Sequence, residues 1–197
     1  APPTGETRIV IYHVNDLHSK IDRFSKIAWH VLQEKKNNPN AHVFFMNAGD
    51  NFSGNPVVDR YNPPGEPVRL LLNKMGTDVM AMGNHDFDPG PTFVKSFIDT
   101  AQYPIIAANI KVKSADIPQF KPYVILNTSK TPGNDKSNIK IAVLGLIQVE
   151  ESGTPSTHPK NIQGIEFTEP VKTAENFCSL RKDNDVFIYL SHMDYDT

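Results

Sequence analysis

The stretch RIVIYHVNDLH, residues 8–18, sets the reading of the whole chain. An apolar, β-branched run ends abruptly in Asn15-Asp16-Leu17-His18, side chains able to hold a metal. The same arrangement recurs three times. AHVFFMNA (41–48) runs into Gly49-Asp50, TDVMAM (77–82) into Gly83-Asn84-His85-Asp86, and DVFIYL (185–190) into Ser191-His192. In an open α/β sheet the loops past the strand C-termini share one rim, where ligands bind. The four clusters are therefore expected to converge on one pocket. Their donors are oxygen and imidazole without thiolate, a set that suits Zn²⁺, Mn²⁺, Fe or Ni²⁺.

Between these runs the pattern alternates. Phe24, Ile27, Ala28, Val31 and Leu32 make the apolar stripe of a helix over 21–36, which Asn37-Asn38-Pro39-Asn40 stops. Asn51–Pro67, rich in Gly, Pro and Asn, reads as a long loop over the pocket. Short helices are expected at Val68–Met75 and Thr92–Ala101, and strands at Asp78–Met82 and Ile105–Ala108. Tyr123–Asn127 and Ile139–Ile147 flank the polar TSKTPGNDKSN, which reads as a β-hairpin with a long exposed loop. A polar segment Glu150–Gln163 precedes a helix over Glu169–Lys182 and a last strand Val186–Leu190. Alternating strands and helices give an α/β fold with a largely parallel core, and the hairpin adds antiparallel pairing.

The chain has 197 residues, 39% hydrophobic and 21% charged, with a net charge of −2. That is enough for one domain with a real core, and residues 1–197 read as a single unit. No Lys/Arg block marks a nucleic acid polymer or an acidic membrane as partner. No apolar run approaches the roughly 18 residues of a membrane span. APPTGETR at the N-terminus lacks the features of a signal peptide and fits either a mature N-terminus or a boundary. Cys178, the only cysteine, precludes an intrachain disulfide and reads as a small, buried or half-buried helix residue.

Each cluster has a chemical and a bland reading. Asp16 and His18 point the same way if the segment stays extended, so one carboxylate and one imidazole can share a metal. Alternatively Asp16 or Ser19 caps the helix that follows. Gly49 permits a sharp turn before Asp50, whose carboxylate can bridge two metals or simply close an Asx-turn. In Asn84-His85-Asp86-Phe87-Asp88 the amide is a workable ligand, His85 can face a substrate, and Asp88 can orient that His. The bland alternative is a turn with Asp88 or Thr92 capping the next helix. His192 ends a buried strand, where histidines are often structural.

Order and context carry more than any cluster alone. HVNDLHS (13–19), NAGDNFSGNP (47–56), MGNHDFD (82–88) and LSHMD (190–194) together resemble the calcineurin-like metallophosphoesterases, in particular the N-terminal catalytic domain of the 5′-nucleotidase family. The resemblance implies a four-layer αββα sandwich with mixed sheets. It implies two divalent metal ions, Zn²⁺ or Mn²⁺: Asp16 and His18 on the first, Asp50 bridging, Asn84 and His192 on the second. It implies that His85 and Asp88 form a catalytic dyad beside the phosphate. Two such metals about 3.5–4 Å apart activate a water for in-line attack on phosphorus. The implied substrate is a nucleoside 5′-phosphate, outside the cytoplasm: extracellular, periplasmic or cell-surface. Cyclic nucleotides, nucleotide sugars and nucleoside di- or triphosphates are the alternative substrates, and a non-catalytic fragment is the alternative class.

Two departures qualify this. The family usually carries a later Gly-His-x-His segment, one further ligand for each metal, and a C-terminal domain that grips the nucleoside; neither is found in these 197 residues. The chain is thus expected to be incomplete at its C-terminus, with weak metal retention and a substrate-binding domain in a longer parent. Two glycosylation sequons remain, a poor one at Asn51-Phe52-Ser53 and a plausible one at Asn127-Thr128-Ser129.

Overall fold

The computed structural model describes residues 7–128 and 138–194. Its first half builds one parallel sheet from β1 (Arg8–Val14), β2 (Ala41–Asn47), β3 (Val79–Ala81) and β4 (Ile105–Ile106), in that order. The crossovers carry α1 (Phe24–Asn37), α2 (Pro56–Asp59), α3 (Glu66–Lys74) and α4 (Pro91–Thr100). Next come β5 (Ile110–Val112), β6 (Tyr123–Asn127), β7 (Lys140–Ile147), β8 (Ile165–Phe167), α5 (Pro170–Glu175), α6 (Leu180–Asp183) and β9 (Val186–His192). The second sheet runs β6-β7-β9, with β6 antiparallel and β9 parallel to β7. β5 and β8 make a separate antiparallel ribbon.

Strand alternation divides the core in two. Tyr12, Val14, Phe45, Met80 and Met82 turn towards the helices and pack with Phe24, Val31, Leu72 and Phe97. Met46, Val79 and Ala81 turn the other way and meet Ile141, Val143 and Leu190 of the second sheet. α5 lies against β7, α6 lies against β9, and the rings of Tyr123 and Phe177 stand 6.0 Å apart on that outer face. The result is the expected αββα sandwich with one parallel and one mixed sheet. Gly145 of β7 brings the sheets close: a Cβ there would sit 2.5 Å from the Ile106 carbonyl oxygen, and the Gly145 carbonyl instead accepts from Ala108 N at 2.7 Å.

Several expectations need correction. The stretch 51–67 is not one loop: Asn55 caps α2 by accepting from Val57 N, and α3 already begins at Glu66. The helix expected over 169–182 is broken by a turn at 176–179 into two short pieces, and Cys178 on that turn is exposed rather than buried. Leu32, counted in the α1 stripe, is 61% exposed, and Val31 carries the contact instead. β5 and β8, three residues each, gave no periodic signal. The loop of the β6–β7 hairpin lies largely outside the described residues, as does Ser129 of the second sequon. Asn51 of the first sequon is fully buried and closed to modification. No helix among the described residues is long and apolar enough to cross a membrane.

Candidate metal centre

The ends of β1 and β2 stay zipped beyond the strands. Asp16 N, His18 N and Ser19 N donate to the carbonyls of Gly49, Asp50 and Asn51 at 3.0, 3.0 and 2.9 Å. Asp16, His18 and Asp50 hold left-handed backbone angles, φ 52°, 43° and 56°. The segment after β1 is therefore not extended, contrary to the expectation from side-chain alternation. Paired left-handed turns bring Asp16 and His18 to one spot, and the zipped backbone holds a conformation costly for non-glycine residues. Neither bland cap reading holds. α1 is capped at Arg23 and α4 at Gly90, each without a side-chain cap bond.

Gly49 (φ +95°) and Gly83 lie against each other, and a Cβ on Gly83 would overlap Asp50. That close approach joins the β2 and β3 loops. Asp86 fastens them. Fully buried, it accepts from Gly83 N (2.8 Å), Asp50 N (3.0 Å) and Asn51 N (2.8 Å). Burial, then the nearby Asp50 charge, pushes the Asp86 carboxyl up to about 6 against the pull of those three N–H groups. Sequence reasoning missed this role because turn chemistry accounted for Asp86. The available signal was a carboxylate set between Gly83 and Phe87 with no helix end to cap.

One cavity of about 330 Å³ is lined by Asp16, His18, Asp50, Asn84, His85 and His192, with Asp88 behind His85. Asp16, His18 and Asp50 each offer an atom within 4.8 Å of the others. His18 Nε2 lies 3.5 Å from Asp16 Oδ1 and 3.8 Å from Asp50 Oδ2. On the opposite side His192 Nε2 lies 3.3 Å from the same Asp50 Oδ2 and 3.1 Å from Asn84 Oδ1. Asp50 thus stands between two imidazoles, while its Oδ1 accepts from His85 N at 2.8 Å. His85 Nδ1 meets Asp88 Oδ2 at 2.7 Å. All seven predicted site residues come together: Asp16, His18, Asn84 and His192 around Asp50, with His85 and Asp88 as a neighbouring pair.

The hydrogen bonds behind the imidazoles fix their tautomers. His192 Nδ1 faces the Ala48 carbonyl at 2.9 Å and His18 Nδ1 faces the Ser53 carbonyl at 3.3 Å. A carbonyl only accepts, so each Nδ1 carries the proton and each Nε2 turns its lone pair inward. There it meets carboxylate and amide oxygens. Acceptors facing acceptors need a cation between them, either a proton or a metal. With the proton alone, burial disfavours imidazolium at His192, but the Asp50 hydrogen bond and the charges of Asp50, Asp86 and Asp16 outweigh it and push His192 up to about 9. Burial works to raise Asp50, yet His192 and then His85 hold it below the usual carboxylate range. Burial likewise opposes charge on His85, but Asp88, Asp50 and Asp86 hold its imidazolium above the ordinary histidine range. The donor set fits hard-to-borderline divalent cations.

A model of the calcineurin-like phosphoesterases matches residues 9–196. The chain belongs to this family. A trifunctional nucleotide phosphoesterase, YfkN of Bacillus subtilis, is 29% identical over 206 residues, covering 89% of this chain and 13% of that protein. A 5′-nucleotidase of Vibrio cholerae is 33% identical over 154 residues, covering 77% of this chain and 26% of its own length. The solved NAD nucleotidase of Haemophilus influenzae superposes with a TM-score of 0.76 at 20% identity, over 94% of this chain and 34% of that one. This calcineurin-like chain spans between an eighth and about a third of the length of these relatives. Its family membership supports phosphoester hydrolysis and the use of divalent metals.

Proposed function

We propose that this chain is the catalytic domain of a phosphomonoesterase that acts on nucleoside 5′-phosphates. The inward-facing acceptors around Asp50 carry the reading. Asp16 and His18 would hold one divalent ion and Asn84 and His192 a second, with Asp50 shared; Zn²⁺ and Mn²⁺ suit the oxygen and imidazole set. When bound, such a pair supplies an acidified water and neutralises phosphoryl oxygens. The chain's own groups do the rest. Asp88 holds the His85 Nδ1 proton, so Nε2 faces the cavity, where it stabilises charge or delivers a proton at the leaving oxygen. Among the described residues lining the cavity there is no Phe, Tyr or Trp to hold a base. Base recognition is therefore assigned to a C-terminal substrate-binding domain of a longer protein, with residues 1–197 as the metal-holding domain. The location proposed is extracellular, periplasmic or cell-surface.

The bare cavity lining also favours a second reading, in which the same centre cleaves cyclic nucleotides, nucleotide sugars or nucleoside di- or triphosphates. One similar protein, from Haemophilus influenzae, is a 2′,3′-cyclic-nucleotide 2′-phosphodiesterase/3′-nucleotidase, 29% identical over 154 residues. The test is elemental analysis after loading with excess Mn²⁺ or Zn²⁺, with Asp50→Ala as control, followed by hydrolysis of AMP and of these alternatives. Close to two ions per chain, lost in the variant, together with phosphate release is the expected result. Equal metal in both proteins would overturn the centre. Bound metal with no hydrolysis, in this chain and in a longer parent, would make it a binding module.

A further inference from the structure

The segment between β7 and β8 touches the centre at three points. Gln148 N donates to the His192 carbonyl at 2.8 Å, and Gln148 Oε1 accepts from Asp194 N at 2.7 Å. Asn84 Nδ2 donates to the Ser156 carbonyl at 2.8 Å, which turns Asn84 Oδ1 towards His192. Thr157 Oγ1 donates to Asp88 Oδ1 at 3.0 Å. The adjacent residues Ser156 and Thr157, from the second half of the chain, thus hold one side chain of the metal cluster and one of the His85–Asp88 pair. The segment is itself firmly set. Gly153 N donates back to Glu150 O at 2.9 Å, Glu150 N to Thr154 O at 3.0 Å, and Pro155 is buried.

Asp88 has two oxygens and two partners, His85 on Oδ2 and Thr157 on Oδ1. Its side chain is 26% exposed, so one hydrogen bond to His85 leaves it free to rotate into water. The second bond fixes the carboxylate plane and with it the aim of the imidazole. We propose that Thr157 is a positioning residue for the reaction, acting through Asp88 on His85. This rests on the phosphoesterase reading above, and one arm of its test is independent of activity.

The experiment compares Thr157→Val, which keeps the shape and removes the hydroxyl, with Thr157→Ser, which restores the donor. The Nδ1 proton of His85 is followed by NMR on ¹⁵N-histidine-labelled protein and assigned by its absence in His85→Gln. A slow-exchanging proton in the wild type and the Ser variant, lost or broadened in the Val variant, is expected. With it, kcat should fall about tenfold in the Val variant, the size of one lost charge-assisted hydrogen bond, with KM and metal content unchanged and most of the rate recovered in the Ser variant. No protected proton in the wild type, or the same proton in the Val variant, would overturn the proposal. A Val variant as active as the wild type would do so too. Absence of any hydrolysis by the wild-type chain and by a longer parent would instead count against the phosphoesterase reading, and the NMR arm would still decide the role of Thr157.

Discussion

Replacing Asp86 tests the frame on which the centre is built. Asp86→Ala removes the acceptor for the backbone N–H groups of Gly83, Asp50 and Asn51, three donors in a fully buried place. Each buried donor left without a partner costs about 1–3 kcal/mol. Water entering the space left by the carboxylate recovers part of that, so a net loss of about 3–5 kcal/mol is expected. Asp86→Asn keeps one acceptor oxygen but turns an NH₂ towards a donor, so its loss should be smaller though still clear. Urea unfolding reads both values from the midpoint at constant slope. Asp50 takes its left-handed angle from this frame, so metal retained after loading should fall along with stability. An Asp86→Ala protein with an unchanged urea midpoint and undiminished metal would refute the reasoning.

Two further outcomes are expected. His85→Ala should lower turnover by about 10²–10⁴ while metal content stays at the wild-type level, because His85 stands beside the Asp50 cluster and not within it; elemental analysis beside a rate measurement decides, and metal lost in step with rate would make His85 a support of the cluster instead of a partner of the leaving oxygen. Gly83→Ala should depress both metal retention and thermal stability, since the added Cβ overlaps Asp50 at its backbone nitrogen and its carboxylate; calorimetry with and without loading checks it, and a variant indistinguishable from wild type in both would show that the two loops have room to part.

The strands were legible where the sequence changes character abruptly. β1 ends at Val14 because an apolar run gives way to Asn15-Asp16, and all four rim clusters could be placed from such boundaries. What pairs with what was less legible. β5 and β8 are three residues each and hold only through mutual pairing, a tertiary fact without local trace. Residues 176–179 keep helical composition yet turn, and the two pieces pack on different strands, α5 on β7 and α6 on β9. At the centre the ligand types were legible but their backbone was not. Left-handed angles at Asp16 and His18 are imposed by the neighbouring β2 loop and contradict the extended geometry that local reasoning supplied. Thr157 lies 69 residues from Asp88, and no local pattern links them.

Gly145 ties the centre to the packing of the two sheets. His192 belongs to the second sheet, whereas Asp16, His18, Asp50 and Asn84 follow strands of the first, and the bare Cα of Gly145 lets the two sheets approach until these groups meet. The cluster is a clasp across a seam between the two sheets. Asp16, His18 and Asp50 all lie in the loops after β1 and β2, within the first sheet's half of the chain. The other side needs His192, on a strand whose histidine bonds a carbonyl 144 residues earlier. A cation held between Asp50 and His192 would bind only the closed sandwich and would stabilise it by mass action. Filling that position and locking the two sheets together would then be one equilibrium, whereas the Asp16–His18 position would draw on the first sheet alone.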